Sequence, residues 1–98
     1  MTYSDPTERA ALIGGLRALA EYLESNPEVP APIYPVVYAF PSAAGWPAKR
    51  AEIDVIAEQL EVTAHETSGG HYVATRSFGP LEYRAVAIPR HADNDESE

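Results

Sequence analysis

Aromatic and basic side chains alternate with smaller ones from Gly70 to Pro89, and they are the first candidates for a binding function. If this segment forms a β-hairpin, one of its faces carries Tyr72, Arg76, Phe78 and Tyr83. Sheets that expose aromatic rings and arginines stack single-stranded bases, so this face is a candidate nucleic-acid platform, extended by Tyr34 or Tyr38. The alternative is that the rings are core residues and that Arg76 reaches water from the core's edge. The formal net charge of −8 and the lack of a ribonucleoprotein-type aromatic motif favour this alternative.

Lys49 and Arg50 form a second candidate, in the first turn of a predicted helix. Cations at this end of a helix oppose its macrodipole, so their presence there calls for an explanation. Together with Arg76, Arg84 and Arg90 they would form a patch that binds an anion or an acidic partner. The alternative is a solvated surface on which acidic residues of the same helix offset the two cations: Glu52, Asp54 and Glu58.

The chain offers little for catalysis or metal binding. It has no cysteine, and its serines lack a nucleophile elbow or a paired histidine. His65, Glu66 and His71 are metal-ligand types, but strand alternation puts His65 and Glu66 on opposite faces. Ser68-Gly69-Gly70 opens a predicted strand, whereas phosphate loops open a helix, so a turn is the simpler interpretation. We therefore predict a protein that is not an enzyme and that has no cofactor and no metal site.

A helix near the N-terminus is the first element that must position these side chains. Asp5, Pro6 and Glu8 have the pattern of a helix start with a capping box, and Asn26-Pro27 ends the helix. Between these ends, leucines recur at spacings of four, three and four residues and form one apolar stripe: Leu12, Leu16, Leu19 and Leu23. The pair Gly14-Gly15 predicts that the sheet or another helix approaches the backbone closely, and the alternative is a hinge or a functional kink.

The remaining elements are one helix and four strands. Residues 33–40 predict a strand, which Pro35 restricts either to a start near Val36 or to a sheet edge. A helix from about Pro47 to Leu60 follows, with Trp46 on its apolar side, and then a short strand from Val62 to Thr67. With the hairpin, the order is α-β-α-β-β-β. The predicted fold class is α+β with two layers, a four-stranded and mostly antiparallel sheet with both helices on one face.

The Gly79-Pro80 turn sets the register of the hairpin. It predicts the strand pairs Phe78–Leu81, Arg76–Tyr83, Ala74–Ala85 and Tyr72–Ala87. These residues share one face, and its small alanines would let a helix approach, so we expect this face to lie under the helices. The opposite face is then left for water or for a partner.

Length and charge limit the remaining possibilities. The 98 residues make one domain, predicted over residues 1–90 and followed by a disordered acidic tail, 91–98, that holds half of the net charge of −8. No apolar run of about 18 residues is present, and the N-terminus lacks the basic and apolar character of a signal peptide. We therefore expect a cytoplasmic protein.

Two runs of the sequence carry a resemblance to known proteins. GLRALAEYLESNPEVP (Gly15 to Pro30) and GGHYVATRSFGPLEYRAVAIP (Gly69 to Pro89) resemble small acidic proteins encoded by actinobacteria, their phages and their integrative elements. The resemblance implies a genetic setting and transfers no functional residue. We expect a small non-enzymatic binding protein of phage or mobile-element type that contacts a host protein or a second copy of itself. The alternative is a nucleic-acid accessory protein that uses the Arg76 face, which the net acidity disfavours.

Overall fold

The computed structural model describes residues 5–89. Within this range the chain divides into two compact units, residues 5–33 and residues 34–89, and each is described by itself. The single domain over residues 1–90 stays a prediction, and the predicted tail 91–98 lies outside the described residues. In the described part, neither helix combines the length and the apolar character that crossing a bilayer requires.

The first unit consists of helix α1 (Pro6–Ser25) and the segment that follows it. The predicted capping box is confirmed, since the Asp5 carboxylate accepts the Glu8 N–H at 2.7 Å and the Glu8 carboxylate accepts the Asp5 N–H at 2.9 Å. At the other end, both the backbone and the side-chain amide of Asn26 donate to the Tyr22 carbonyl at 2.9 Å. No residue of α1 is buried, although the helix carries the predicted leucine stripe.

Within the first unit, no backbone makes the close approach predicted at Gly14-Gly15. No described atom outside the helix's own backbone lies within 4 Å of the position that a Cβ would take at either glycine. The two glycines lower the stability of the helix by roughly 1 kcal/mol each relative to alanine, and the first unit by itself supplies no packing contact that requires them.

The second unit is a four-stranded sheet with one helix. Its elements are β1 (Val36–Ala39), α2 (Trp46–Leu60), β2 (His65–Glu66), β3 (Tyr72–Phe78) and β4 (Leu81–Ala87). The strand order is β1-β4-β3-β2, in which β1 and β4 are parallel and the other two pairs are antiparallel. Helix α2 packs on β3 and β4. The α+β fold class with a mostly antiparallel four-stranded sheet is thereby confirmed, and β1 is an edge strand that begins at Val36, as Pro35 predicted.

The hairpin has the predicted register. Helix α2 covers the face of the hairpin that was predicted to lie under the helices. All four expected strand pairs form, and Gly79 in the turn takes the positive φ of 63° that glycine tolerates. On the alanine side, Ala74, Ala85 and Ala87 are fully buried against Ile53 and Ala57 of α2. We call this side of the sheet the inner face and the opposite side the outer face. Small side chains on the sheet leave room for Ile53, the one large side chain that is completely buried among the described residues.

Strand β2 is shorter than the predicted Val62–Thr67, because the start of that segment completes the end of α2. Glu61 takes a left-handed conformation with φ of 61°, and the Val62 N–H donates to the Ala57 carbonyl at 2.9 Å. Val62 and Ala64 then pack against the core from a loop. Sheet pairing is left to His65 and Glu66, opposite Val73 and Tyr72.

Candidate protein-contact surface

The predicted binding residues do not form one surface. The structure brings Arg50 together with Tyr72 at one end of β3, and Arg76 together with Phe78 at the other end. Lys49 is buried in the first turn of α2, and Tyr83 is half-buried against the core beneath that helix. The inner face is therefore mainly occupied by α2, and it does not present the continuous stacking platform that the sequence suggested.

Arg50 is the centre of a cluster that joins α2 to β2 and β3. Its guanidinium lies 4.0 Å from the centre of the Tyr72 ring and 5.9 Å from that of Trp46, which is a cation–π arrangement. It also lies 3.9 Å from a carboxylate oxygen of Glu66. The face of the Tyr72 ring that a base would need is thus covered by the protein's own arginine.

The hydroxyl of Tyr72 is engaged as well. It donates to the Asp54 carboxylate at 2.5 Å. This hydrogen bond, followed by burial and by the negative charge of the same carboxylate, raises the pKa of Tyr72 above its usual 10.0, while Arg50 acts in the opposite direction. A phenol that loses its proton less readily than usual suits a structural hydrogen bond and does not suit a nucleophile or a base.

Arg76 has a structural partner at the C-terminus of α2. Its guanidinium donates to the Leu60 carbonyl at 3.0 Å, and it lies 3.7 Å from the carboxylate of Glu61. A cation at this end of a helix interacts favourably with the macrodipole and with the carbonyls that lack a partner inside the helix. The ring of Phe78 lies 5.7 Å from the guanidinium, and both side chains remain about half exposed near the hairpin turn.

The outer face carries a different set of side chains, arranged in rows across the strands. Residues that are Cα partners point to the same side, so one row consists of Tyr38, Arg84 and Thr75. The next row contains Val86 and Val73, which are both buried. Continuing the alternation of β1 and β4 by one step beyond each strand adds Phe40 and Ile88 to this side.

Tyr38 and Phe40 make the outer face aromatic at its β1 edge. Their rings are stacked, with centroids 5.9 Å apart and planes at 11°. Tyr38 is 52% and Phe40 48% exposed, and Ile88 is 40% exposed. Aromatic side chains that are already held in place and exposed lose little conformational freedom when they bind a protein, which is why they are enriched at protein interfaces.

Arg84 lies beside this aromatic pair and has an unused donor. One of its terminal nitrogens binds the Glu82 carboxylate at 2.6 Å. Its Nε is buried and has no hydrogen-bond partner among the described residues. A buried donor that lacks an acceptor costs about 1–3 kcal/mol of stability. A binding partner cannot reach the buried Nε, but the Arg84 side chain as a whole is 35% exposed, so an acceptor oxygen of a partner can approach the end of its guanidinium.

Hydrogen bonds hold the segments on either side of β1 in place, and they fix the position of Tyr38 and Phe40 between them. The Glu52 carboxylate accepts the backbone N–H groups of Ser42 at 3.2 Å and of Ala43 at 3.1 Å. At the other end of β1, the Pro35 carbonyl accepts the Glu82 N–H at 3.0 Å. Phe40 therefore lies between two segments that hydrogen bonds hold in place. Glu52 stabilises this loop as a hydrogen-bond acceptor, in addition to any electrostatic effect on Lys49 and Arg50.

The predicted metal-ligand types do not come together among the described residues. Within residues 5–89, no three histidine or carboxylate side chains are grouped so that they could hold a metal ion. Glu66 lies on the inner side with Arg50, whereas His65 is the partner of Val73 on the outer side. The side chains of His65 and Glu66 thus lie on opposite faces of β2, as the alternation along the strand predicted.

The candidate residues predicted from the sequence lie mainly on the inner face and on α2, and that prediction did not include Arg84 with Phe40 on the outer face. It could not foresee that β1 pairs with β4, which brings Tyr38 next to Arg84. One signal was available, because Tyr34, Tyr38 and Phe40 have even spacing and so share a strand face.

Comparisons with protein-family models, with curated proteins and with solved structures found no match to this chain. The resemblance to small acidic actinobacterial and phage proteins therefore stays a prediction from the sequence.

Proposed function

We propose that this chain is a small non-enzymatic binding protein that acts by contact with another protein through the outer face of its sheet. In keeping with the resemblance of its sequence, we place it in a phage or mobile element of an actinobacterium and in the host cytoplasm. Its partner would then be a host protein, which it would modulate by occupying a surface.

The observation that carries the proposal is the stacked and half-exposed pair of Tyr38 and Phe40 on the side of the sheet opposite α2. Two aromatic rings of this size provide the apolar anchors on which protein interfaces depend. Both rings lie outside the core cluster that Ile53 forms with the alanines of the inner face, and about half of each ring is exposed.

The polar groups of the outer face indicate the chemistry of the partner. Arg84 keeps one charge-assisted bond to Glu82, and its side chain is 35% exposed, so its guanidinium can also be approached by a partner. A partner surface that presents an apolar side chain to the two rings and a carbonyl or carboxylate oxygen to Arg84 would satisfy both groups. Nucleic acid is a poorer fit, since the chain has a formal net charge of −8.

Paired phenylalanine substitutions test this proposal. Phe40→Ala removes an outer-face ring, and Phe78→Ala removes a ring that is similarly exposed, 55% against 48%, but lies by the hairpin turn on the other side. Tagged wild-type and variant proteins are used to capture partners from an actinobacterial lysate. Phe40→Ala should lose at least 90% of a reproducible wild-type partner, corresponding to about 1.4 kcal/mol of binding free energy, whereas Phe78→Ala should retain it.

Thermal unfolding of each variant, measured in parallel, separates loss of the surface from loss of the fold. Equal capture by both variants, when both are folded, would refute the outer face as the contact surface. Failure of the wild type to capture any protein reproducibly would refute the proposed function itself.

A further inference from the structure

Helix α1 displays an apolar surface that the proposed outer-face contact does not use. Its residues Leu12, Ile13, Leu16, Leu19 and Tyr22 are between 40% and 56% exposed, and no residue of the helix is buried. A helix of 20 residues with two internal glycines is only marginally stable in water without packing partners. The helix therefore gains stability from any surface that covers the stripe.

The spacing of the leucines identifies a surface that fits. Positions 12, 16, 19 and 23 alternate in steps of four and three, which is the d-a-d-a pattern of a two-stranded coiled coil. When two copies of α1 lie antiparallel, each a position meets a d position of the other copy. Leu12 then meets Leu23, and Leu16 meets Leu19. We call this line of contact between the two helices the seam, and each of its layers is a leucine pair.

The residues beside the seam are complementary in size in the same arrangement. On one side, Ile13 of one copy lies next to Ala20 of the other. On the other side, the ring of Tyr22 lies next to Gly15, which gives that glycine a packing role that the single chain does not supply. A parallel pair would instead place Ile13 beside the charged Glu8 and would leave Tyr22 beyond the end of its partner's seam.

Charge supports the antiparallel direction too. Arg9 continues the seam towards the N-terminus, one heptad before Leu16, and so reaches the C-terminal turn of the other copy. That turn has no basic residue of its own to offset the negative end of the helix macrodipole. The charged residues between Ala10 and Leu23, Arg17 and Glu21, lie outside the seam.

We propose that α1 pairs antiparallel with α1 of a second copy of this chain. The inference rests on the proposed function only in treating the chain as one that works by protein contact, and it concerns a different surface. The leucine seam of 12 residues is about 18 Å long, so the interface falls below the roughly 1,200 Å² at which stable complexes begin. The dimer should therefore be reversible, and it should be measured from about 1 μM to about 1 mM.

Cysteine cross-linking of the full chain tests the pairing and its direction, since the protein has no native cysteine. Antiparallel pairing places Leu12 opposite Leu23 of the other copy and keeps the two copies of Leu12 about 16 Å apart along the axis, beyond disulfide reach. A mixture of Leu12→Cys and Leu23→Cys chains should therefore cross-link on mild oxidation, whereas neither variant alone should do so. Cross-linking of each variant with itself, or of none, would overturn the proposal.

Sedimentation of charge variants provides the second test. Leu16→Glu puts a carboxylate in the seam, and Ala18→Glu puts the same charge on α1 outside it. The first should weaken self-association at least tenfold, and the second should leave it within about twofold of the wild type. Equal effects of the two variants, or a wild-type chain that is monomeric throughout, would overturn the pairing while leaving the outer-face proposal open to its own test.

Discussion

Replacing Ile53 by alanine tests the assignment of the inner face, on which the choice of the outer face as the contact surface depends. Ile53 is completely buried, and it lies against three fully buried alanines, Ala74, Ala85 and Ala87. If this side of the sheet were not the core, the substitution would have little effect. The outer face would then have to be the covered one.

The size of the effect follows from the burial. Isoleucine to alanine removes three carbon groups worth about 0.8 kcal/mol each, so that the transfer part of the loss is about 2.4 kcal/mol. The neighbouring alanines are too small to fill the space that is left, so a cavity contribution of about 1 kcal/mol is added, for a total of about 3–4 kcal/mol. A unit of the size of residues 34–89 is stable by only about 3–8 kcal/mol, so this loss is about half of its stability or more.

The assay is urea unfolding followed by the fluorescence of Trp46, the single tryptophan, which packs against the same core. Val55→Ala is the matched control, because Val55 lies on the same helix and is 53% exposed. It should change the free energy of unfolding by no more than about 0.5 kcal/mol. A loss below about 1 kcal/mol for Ile53→Ala, or one equal to that of the control, would refute the assignment of the core.

Three further predictions concern the contacts between elements and the helix of the first unit. Arg76→Gln should lower the free energy of unfolding by about 0.5–1 kcal/mol, the low end for a hydrogen bond because the side chain is 45% exposed, whereas Arg76→Lys should lower it less. Tyr72 has a raised pKa, so the stability that it gains from Asp54 is complete below pH 10 and is lost as the pH rises through its folded-state pKa. In absorbance titration, Tyr72→Phe should therefore lack a tyrosine that ionises above pH 10, and it should lose less of its stability above pH 10 than the wild type does. Gly14→Ala should increase the helical circular dichroism signal and stabilise α1 by up to about 1 kcal/mol; a decrease would mean that a close contact at Gly14 exists after all.

Local chemistry made much of the fold predictable from the sequence. The Asp5 and Glu8 capping box, the restriction that Pro35 places on β1 and the register of the Gly79-Pro80 hairpin are all set by neighbouring residues. The alanines of the hairpin also predicted the inner face, because side chain size limits how closely a helix can approach.

The candidate site was less predictable because it depends on pairing between distant segments. The parallel contact of β1 with β4 brings Tyr38 beside Arg84, and no local signal in either segment specifies it. Similarly, the sequence could not show that Arg50 covers the Tyr72 ring or that Arg76 donates to the end of α2. These contacts give both arginines partners within the chain, and they depend on how distant segments pack.

The most direct test of the outer face as the contact surface is photo-cross-linking at two matched positions in living cells. A photoreactive phenylalanine analogue is placed at Phe40 in one protein and at Phe78 in another, where the rings are similarly exposed but on different sides of the sheet. Irradiation should give a discrete covalent adduct to another protein, identified by mass spectrometry, from position 40 and not from position 78. No adduct from position 40, or equal adducts from both positions, would contradict the proposal.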